Sequence, residues 1–531
     1  MTDRNKIRIV AILLLTTLLF FQVIHFEFVH WDDNYFVVEN ALLRMPFLDV
    51  VQRAFGHFFA GDYLPLTLMS LWTDFQLAGG AEPQWFHAVN LALHLANVYL
   101  LWLCLDLIFE NKRIVFFSCL VFAIHPLQVE SVAWVSERKG LLCALFSLAA
   151  LFTALKSSRM TLIVYPLFFG LGLLCKASTV FLPLFIFVYD FKIRHLNLRD
   201  TIRRNSIALL LACVFIFVRI TAYSEATDQL ANYSLSIERC LHIPFQILSA
   251  LGFYILKFIW PFDLAIIYPA YEVDFDWLLD MAAGLTFIVA IIWEFRRTNR
   301  WTATAMSALW FFLMLLPVLQ IVPRLNFVNE RYAYLAVPGL AIWFVVWLEK
   351  IHDLKIKIAV IALFTVFFMV RTELRLPVWS SDWDLWQQTV KARPWSGISH
   401  LNLGSIYEKR GLFHEAQSEY ELATLASPEQ DTRAQGYSNI LSLYSNRAYP
   451  EIYNLEEAEK NMNLALDQRI DESSKLKLTY NLLRLKMLEG NTTAARQMAG
   501  DLLKTLESHP DPRFFELKNL TSEILRQLPA N

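Results

Sequence analysis

Charge is scarce in this 531-residue chain: 47 Lys and Arg stand against 49 Asp and Glu, 18% of the residues, for a net charge of -2. So thin and balanced a charge argues against a disordered or a nucleic-acid-binding protein, and any anionic ligand must be met by a local cluster rather than a global field. Cysteine is sparse as well. Cys104, Cys119, Cys143, Cys175, Cys213 and Cys240 lie in or beside apolar segments without CxxC or zinc-type spacing, against a disulfide framework or structural metal. The chain has no P-loop, GxSxG, HExxH or dinucleotide fingerprint, against ATP-driven and hydrolase chemistry. What it has in quantity is hydrophobic residues, 56%, with a mean hydropathy of +0.39. They gather before residue 371, and the remainder is polar, amphipathic and free of cysteine. An integral membrane part followed by a soluble part is expected.

Apolar runs long enough for about 30 Å of hydrocarbon lie near 8–26, 85–108, 114–134, 140–155, 206–223, 277–295, 302–320, 332–349 and 356–371. The first follows Arg4, Lys6 and Arg8 without a small-residue cleavage site, so a retained membrane helix is expected rather than a signal peptide. As one helix, 160–191 would span about 48 Å, too long for a single pass. Lys156 and Arg159 precede it, and Lys192, Arg194, Arg199, Arg203 and Arg204 follow. The positive-inside rule therefore sends it out and back, with Lys176 near the outer turn. Read as a crossing, 244–261 would place Arg296, Arg297 and Arg300 outside; it is therefore expected to be re-entrant or interfacial. The total is about eleven crossings. With the N-terminus inside, 27–84, 125–139, 224–276, 321–331 and everything after 372 lie outside.

In the soluble part, Leu403, Gly404, Tyr407, Gly411, Ala416, Tyr420, Ala423 and Pro428 stand at the offsets of a 34-residue tetratricopeptide repeat. A second unit carries Ile440, Tyr444, Ala458, Met462 and Ala465, with an insertion around Pro450. A degenerate third carries Leu482, Gly490 and Ala495, and a helix near 513–528 would cap the stack. Such arrays bind extended polypeptides or serve as structural props.

Four polar clusters stand where a membrane protein seldom keeps them. Asp32 and Asp33 follow the first helix, as catalytic carboxylates or as a helix cap. His125, Glu130, Glu137, Arg138 and Lys139 share one short loop, a mixture suited to gripping phosphate while steering a hydroxyl, or an ordinary loop with an internal ion pair. Lys176 either binds phosphate or snorkels to the interface. Arg324, Glu330, Arg331, Tyr332 and Tyr334 flank another outer end, where Arg331 could fork onto phosphate and the tyrosines could stack on a sugar or join an aromatic belt. His87, His94 and the Phe-rich faces read as packing.

These clusters, in this order, resemble the family of transmembrane and tetratricopeptide repeat-containing O-mannosyltransferases and their bacterial relatives, within the GT-C-type glycosyltransferases that use lipid-phosphate sugars. The resembling segments are Trp31-Asp32-Asp33, Tyr63 to Thr67, Phe86 to His94, His125 to Leu141, Lys176 with Leu182-Pro183 and Asp190, Glu330-Arg331-Tyr332, and Trp379 to Leu403. The chain departs from the family where animal members carry Lys-Glu and it has Lys176-Ala177, and where bacterial relatives often carry an acid and it has Gly140.

The resemblance implies an all-α fold: a polytopic GT-C-like bundle (1–375), a connector (376–396) and an extracytoplasmic α-solenoid of about three repeats with a capping helix (397–531). It implies transfer of a sugar, mannose foremost, from a polyprenyl phosphate to Ser or Thr hydroxyls of exported proteins, with inversion. In that scheme Asp32 takes the acceptor proton and Asp33 tunes or holds the site. Arg138, Lys139, Lys176 and Arg331 bind the donor phosphate, and His125, Glu130, Glu330 and Tyr332 hold acceptor or sugar. A divalent metal on Asp32 or Asp33 is compatible with the same pattern. The partners are the isoprenoid-linked sugar and, through the repeats, an acceptor polypeptide, with no nucleic acid. The form of the motifs points to a bacterial inner membrane rather than endoplasmic reticulum, with the repeats on the periplasmic or lumenal side. A lipid-linked oligosaccharide ligase and a non-catalytic scaffold are the competing readings. A transporter ranks last, because the charges gather at the outer surface rather than at mid-membrane depth.

Overall fold

The computed structural model describes residues 3–59, 61–156, 161–226, 237–268, 275–298, 301–319, 327–427, 430–468, 472–508 and 514–528. Arg159, Arg300, Arg324 and Pro428 lie outside them. Among the described residues all regular structure is helical, apart from an isolated bridge between Phe59 and Asp62. The chain divides into two compact units, 1–385 and 386–531.

Among the described residues of the first unit, six helices are long and apolar enough to cross a membrane: Asp3–His25, Pro83–Ile108, Val135–Lys156, Leu198–Ala222, His242–Ile259 and Asp276–Thr298. A seventh span results if Lys112–Ile124 and Pro126–Ala133, which meet at 54°, act as one. This differs from the expected eleven in two ways. The run at 244–261 belongs to a continuous helix, Ile237–Ile259, whose length qualifies it as a span; there, apolar length runs against the loop-charge argument. Other apolar runs are shorter helices: Thr161–Leu173, Ala303–Val318 and Val337–Leu348. The first has 13 residues, only about 20 Å of rise. Leu354–Arg375 is long, but Lys355, Lys357, Arg371, Glu373 and Arg375 crowd its ends.

The stretch 160–191 is two helices, Thr161–Leu173 and Leu182–Lys192, broken around Lys176. The Thr161 hydroxyl donates to the Thr153 carbonyl at 3.1 Å, and Arg194 donates to the carbonyls of Ala154 and Leu155. Both outer ends of the pair therefore meet the last turn of Arg138–Lys156, while Lys176 at the break reaches Glu137 just before its first turn. The pair folds back on itself. Arg194 also satisfies carbonyls that a helix end leaves without partners. Beside it Asp190, fully buried, is neutralised by Arg194 at 3.2 Å and Arg204 at 2.9 Å.

The second unit stacks its helices in chain order, each against the next: Gly397–Lys409, Phe413–Ala426, Gln430–Ser445, Leu455–Leu466, Glu472–Leu488, Thr492–Ser508 and Phe515–Gln527. Small residues set the spacing. A Cβ at Gly404 would lie 2.6 Å from the Tyr420 ring and 3.2 Å from the Ala416 carbonyl oxygen. Tyr420 is buried and donates to Glu408 at 2.8 Å, so the ring cannot yield cheaply. Gly404→Ala is expected to destabilise this unit by about 1–3 kcal/mol, seen as faster trypsin cleavage within 386–531 of the full-length protein while the membrane unit persists.

Candidate functional site

A polar stripe on a membrane helix builds the site. His87, Asn90, His94 and Asn97 recur at helical spacing on one face of Pro83–Ile108, all buried. Asn90 donates to the Trp134 carbonyl at 3.0 Å, and Asn97 to the Leu141 carbonyl at 3.1 Å. His94 bonds Tyr334 at 2.8 Å and the Ala123 carbonyl at 3.2 Å. In apolar surroundings such bonds are the only partners these groups can find, so the stripe clamps the loop 125–139 and the Tyr334 turn onto one helix. At the loop's start Pro126, which lacks an N–H, breaks the helix, and His125 Nδ1 accepts from the Leu127 N–H at 3.2 Å.

Asp32 and Asp33 enter from the other side. Asp33 is fully buried; one oxygen accepts from the Val29 N–H at 3.1 Å, the other from the Ser136 N–H at 2.9 Å and hydroxyl at 2.5 Å. Burial pushes its pKa up to about 7, against those hydrogen bonds, which favour the ionised form. Asp32 keeps its side chain 39% exposed, and its Oδ2 lies 3.8 Å from Lys139 Nζ. One carboxylate anchors the loop and the adjacent one faces outward.

Three cations converge beside Asp32. Lys176 Nζ lies 2.9 Å from Glu137 Oε2, and from Glu137 Oε1 Arg331 Nε lies 3.7 Å and Lys139 Nζ 4.0 Å. Each cation keeps 11–15% of its side chain exposed, whereas Glu137 is covered. Arg331 also forks onto Glu130, from Nη1 at 2.6 Å and from its backbone N–H at 2.7 Å. Its guanidinium lies 5.1 Å from the Trp134 ring centre and 5.2 Å from that of Tyr332. Lys139 lies 4.6 Å from the Phe36 ring and Lys176 5.8 Å from that of Tyr332.

Lys139, Lys176, Arg331, Glu130, Tyr332 and Asp32 are thus brought together; three other residues expected at the site are turned away from it. Arg138 is fully buried and donates to Asp74 at 2.5 Å, Asn90 at 2.5 Å, the Phe86 carbonyl at 2.9 Å and Ser70 at 3.1 Å. Successive helical residues point about 100° apart, so Arg138 faces the core where Lys139 faces the site, with four of its five N–H donors engaged there. His125 donates from Nε2 to the Phe258 carbonyl at 2.9 Å and stacks on that ring at 4.7 Å. With both nitrogens engaged it caps a helix rather than holding a substrate. Glu330 is buried on Arg375 at 3.1 Å and the Tyr268 hydroxyl at 2.9 Å. Glu137, named in the loop cluster but given no role of its own in the sequence reading, is the residue the structure puts at the centre of the cations; its signal was an acid directly before Arg138 and Lys139. Asp74 carried another, as an acid inside an apolar helix.

A metal held by protein side chains alone would need three or more His, Cys, Asp or Glu ligands. Among the described residues no three His, Cys, Asp or Glu side chains converge. Both Asp33 oxygens are taken, and Asp32 faces a lysine.

The protein O-mannosyl-transferase F38B6.6 of Caenorhabditis elegans is 24% identical over 431 residues, covering 76% of this chain and 60% of that protein. Protein O-mannosyl-transferase TMTC1 of Mus musculus is 36% identical over 137 residues, 24% of this chain and 14% of its own length. TMTC4 of Homo sapiens is 32% identical over 111 residues, 18% and 15% respectively. The chain is similar in sequence to these O-mannosyl-transferases. It spans less than two thirds of the length of these relatives. No family model and no solved structure matches it.

Two outcomes test this geometry. Asp74→Asn strands the Arg138 charge in the core and is expected to remove about 3–5 kcal/mol of stability, read as a lower Tm in detergent. Asp33 has a raised pKa in the fold, so its contribution to stability is present below the unfolded value and lost as pH rises through about 7. The Tm of Asp33→Asn minus that of wild type should therefore increase between pH 5 and pH 8.

Proposed function

We propose that the chain is a membrane glycosyltransferase that moves a sugar, mannose foremost, from a polyprenyl phosphate to Ser or Thr hydroxyls of exported proteins, with inversion. The printed names of its relatives support protein O-mannosyl transfer. The observation that carries the reading is the half-exposed Asp32, which touches the edge of the Lys139–Lys176–Arg331 cluster.

A hydroxyl is a weak nucleophile near neutral pH, so a base must take its proton as it attacks. The acceptor oxygen bonds to the anomeric carbon, its proton passes to Asp32, and the carbon–oxygen bond to phosphate breaks. The electron pair leaves with the lipid phosphate, which turns from a singly charged diester into a monoester one charge more negative. Against the three cations stand Glu130, Glu137 and Asp32; when Asp32 takes the acceptor proton it loses its charge, so the cluster becomes one unit more positive as the leaving phosphate becomes one unit more negative. As the leaving group gains charge, Lys139, Lys176 and Arg331 stabilise it. Asp33, tied to Ser136, holds Asp32 at the mouth of the cluster. Tyr332, beside Arg331, offers a ring for the sugar. No step needs a metal.

The 386–531 unit, as a repeat solenoid, would bind the acceptor polypeptide, and the site would face the periplasm of a bacterial inner membrane. Asp32→Asn is expected to lower kcat by about 10²–10⁴-fold at little change in KM for the donor. Lys176→Gln should raise that KM by roughly tenfold. Steady-state transfer of sugar from polyprenyl-phosphate mannose to a Ser/Thr peptide measures both. Equal activity of wild type and Asp32→Asn would refute the base assignment.

A further inference from the structure

Glu137 has no part in the chemistry above, yet it is the anion on which all three phosphate-facing cations converge, with Lys176 bonded to both of its oxygens at 2.9 and 3.0 Å. Its carboxylate is covered while the cations reach the surface, so an incoming phosphate meets the cations from the open side with Glu137 behind them. We propose that Glu137 is a resident counter-anion that shares Lys139, Lys176 and Arg331 with the donor phosphate and so limits how tightly the lipid phosphate product is held. This rests on the reading of the cluster as the donor-phosphate site.

The physical case is one of timing. The phosphate leaves one charge more negative than it arrived, so without Glu137 the cations, offset only by Glu130 and Asp32, would bind the product more tightly than the donor, and turnover would wait on release. Binding energy that serves the product as well as the transition state does not raise kcat. A fixed carboxylate about 3–4 Å from the cations lowers their potential for every anion, and lowers it most for the more highly charged product.

The neighbouring backbone supplies the room. A Cβ at Gly140 would stand 2.4 Å from Glu137 Oε2, and its other nearest neighbours are Glu137 Cδ at 3.7 Å and Lys176 Nζ at 3.8 Å. The one severe conflict is with the end of a flexible side chain, and alanine is a better helix former than glycine. Gly140→Ala therefore moves the carboxylate off Lys176 and leaves the helix intact.

The test is equilibrium binding of farnesyl phosphate, with inorganic phosphate as comparison, to the full-length protein in detergent, for wild type, Glu137→Gln, Gly140→Ala and Lys176→Gln. Glu137→Gln is expected to tighten farnesyl phosphate roughly tenfold at a lower Tm, because it removes the covered anion of three cations, and Gly140→Ala about threefold at unchanged Tm, while kcat falls and product inhibition deepens. Weaker or equal binding in Glu137→Gln, with Lys176→Gln also weaker than wild type, would overturn the proposal and make Glu137 a strut that assembles the cations. Unchanged binding in Lys176→Gln would instead remove the phosphate-site reading beneath it. Equal tightening of inorganic and farnesyl phosphate would keep the counter-anion role and assign the recognition to phosphate alone rather than to the lipid.

Discussion

A charge withdrawn from water must find an opposite charge or an array of hydrogen bonds, and in the membrane unit that requirement fixes the relative positions of most elements near the site. Arg138 is neutralised by Asp74, Arg331 by Glu130, Arg375 by Glu330, and Asp190 by Arg194 and Arg204. Each pair joins different helices or loops, except that Arg194 follows Asp190 within one turn. Removing one partner strands the other in a low-dielectric interior, so the pairs hold these elements in register more than they add net stability.

Where the pairing is complete the residues are structural, and where it is lopsided there is room for a ligand. Glu137 meets three cations that remain partly exposed, and Asp32 stands at their edge. The aromatic rings of Phe36, Trp134 and Tyr332 line the same cations, holding their side chains extended toward the surface. The polar stripe from His87 to Asn97 matters for the same reason. By clamping backbone carbonyls from Ala123 to Leu141 it turns a loop, ordinarily mobile, into a rigid shelf for the charges.

Much of this was legible in the sequence at the level of residue type and little at the level of direction. Lys139, Lys176, Arg331 and the Asp32–Asp33 pair announce themselves as charges at the ends of apolar runs. Neighbours such as Arg138 and Lys139, or Glu330 and Arg331, are indistinguishable until the helical turn separates them, because what turns Arg138 inward is Asp74, 64 residues away. Spans were blurred for a related reason: hydropathy records apolar length, whereas the breaks at Pro126 and around Lys176 come from a missing N–H and from the needs of the site. The break of 160–191 into two helices was readable because basic residues bracket both ends and a single helix would be too long for one pass. At 244–261 loop charge and apolar length point in opposite directions, and the continuous helix there is long enough to span.

The most direct measurement is a glycopeptide mass comparison of exported proteins from cells carrying the wild-type gene, a deletion, or Asp32→Asn. The account predicts that one hexose mass disappears from Ser/Thr peptides in both altered strains. Loss of a larger glycan would transfer the reading to an oligosaccharide ligase, and survival of every glycopeptide in the deletion strain would contradict the transferase account.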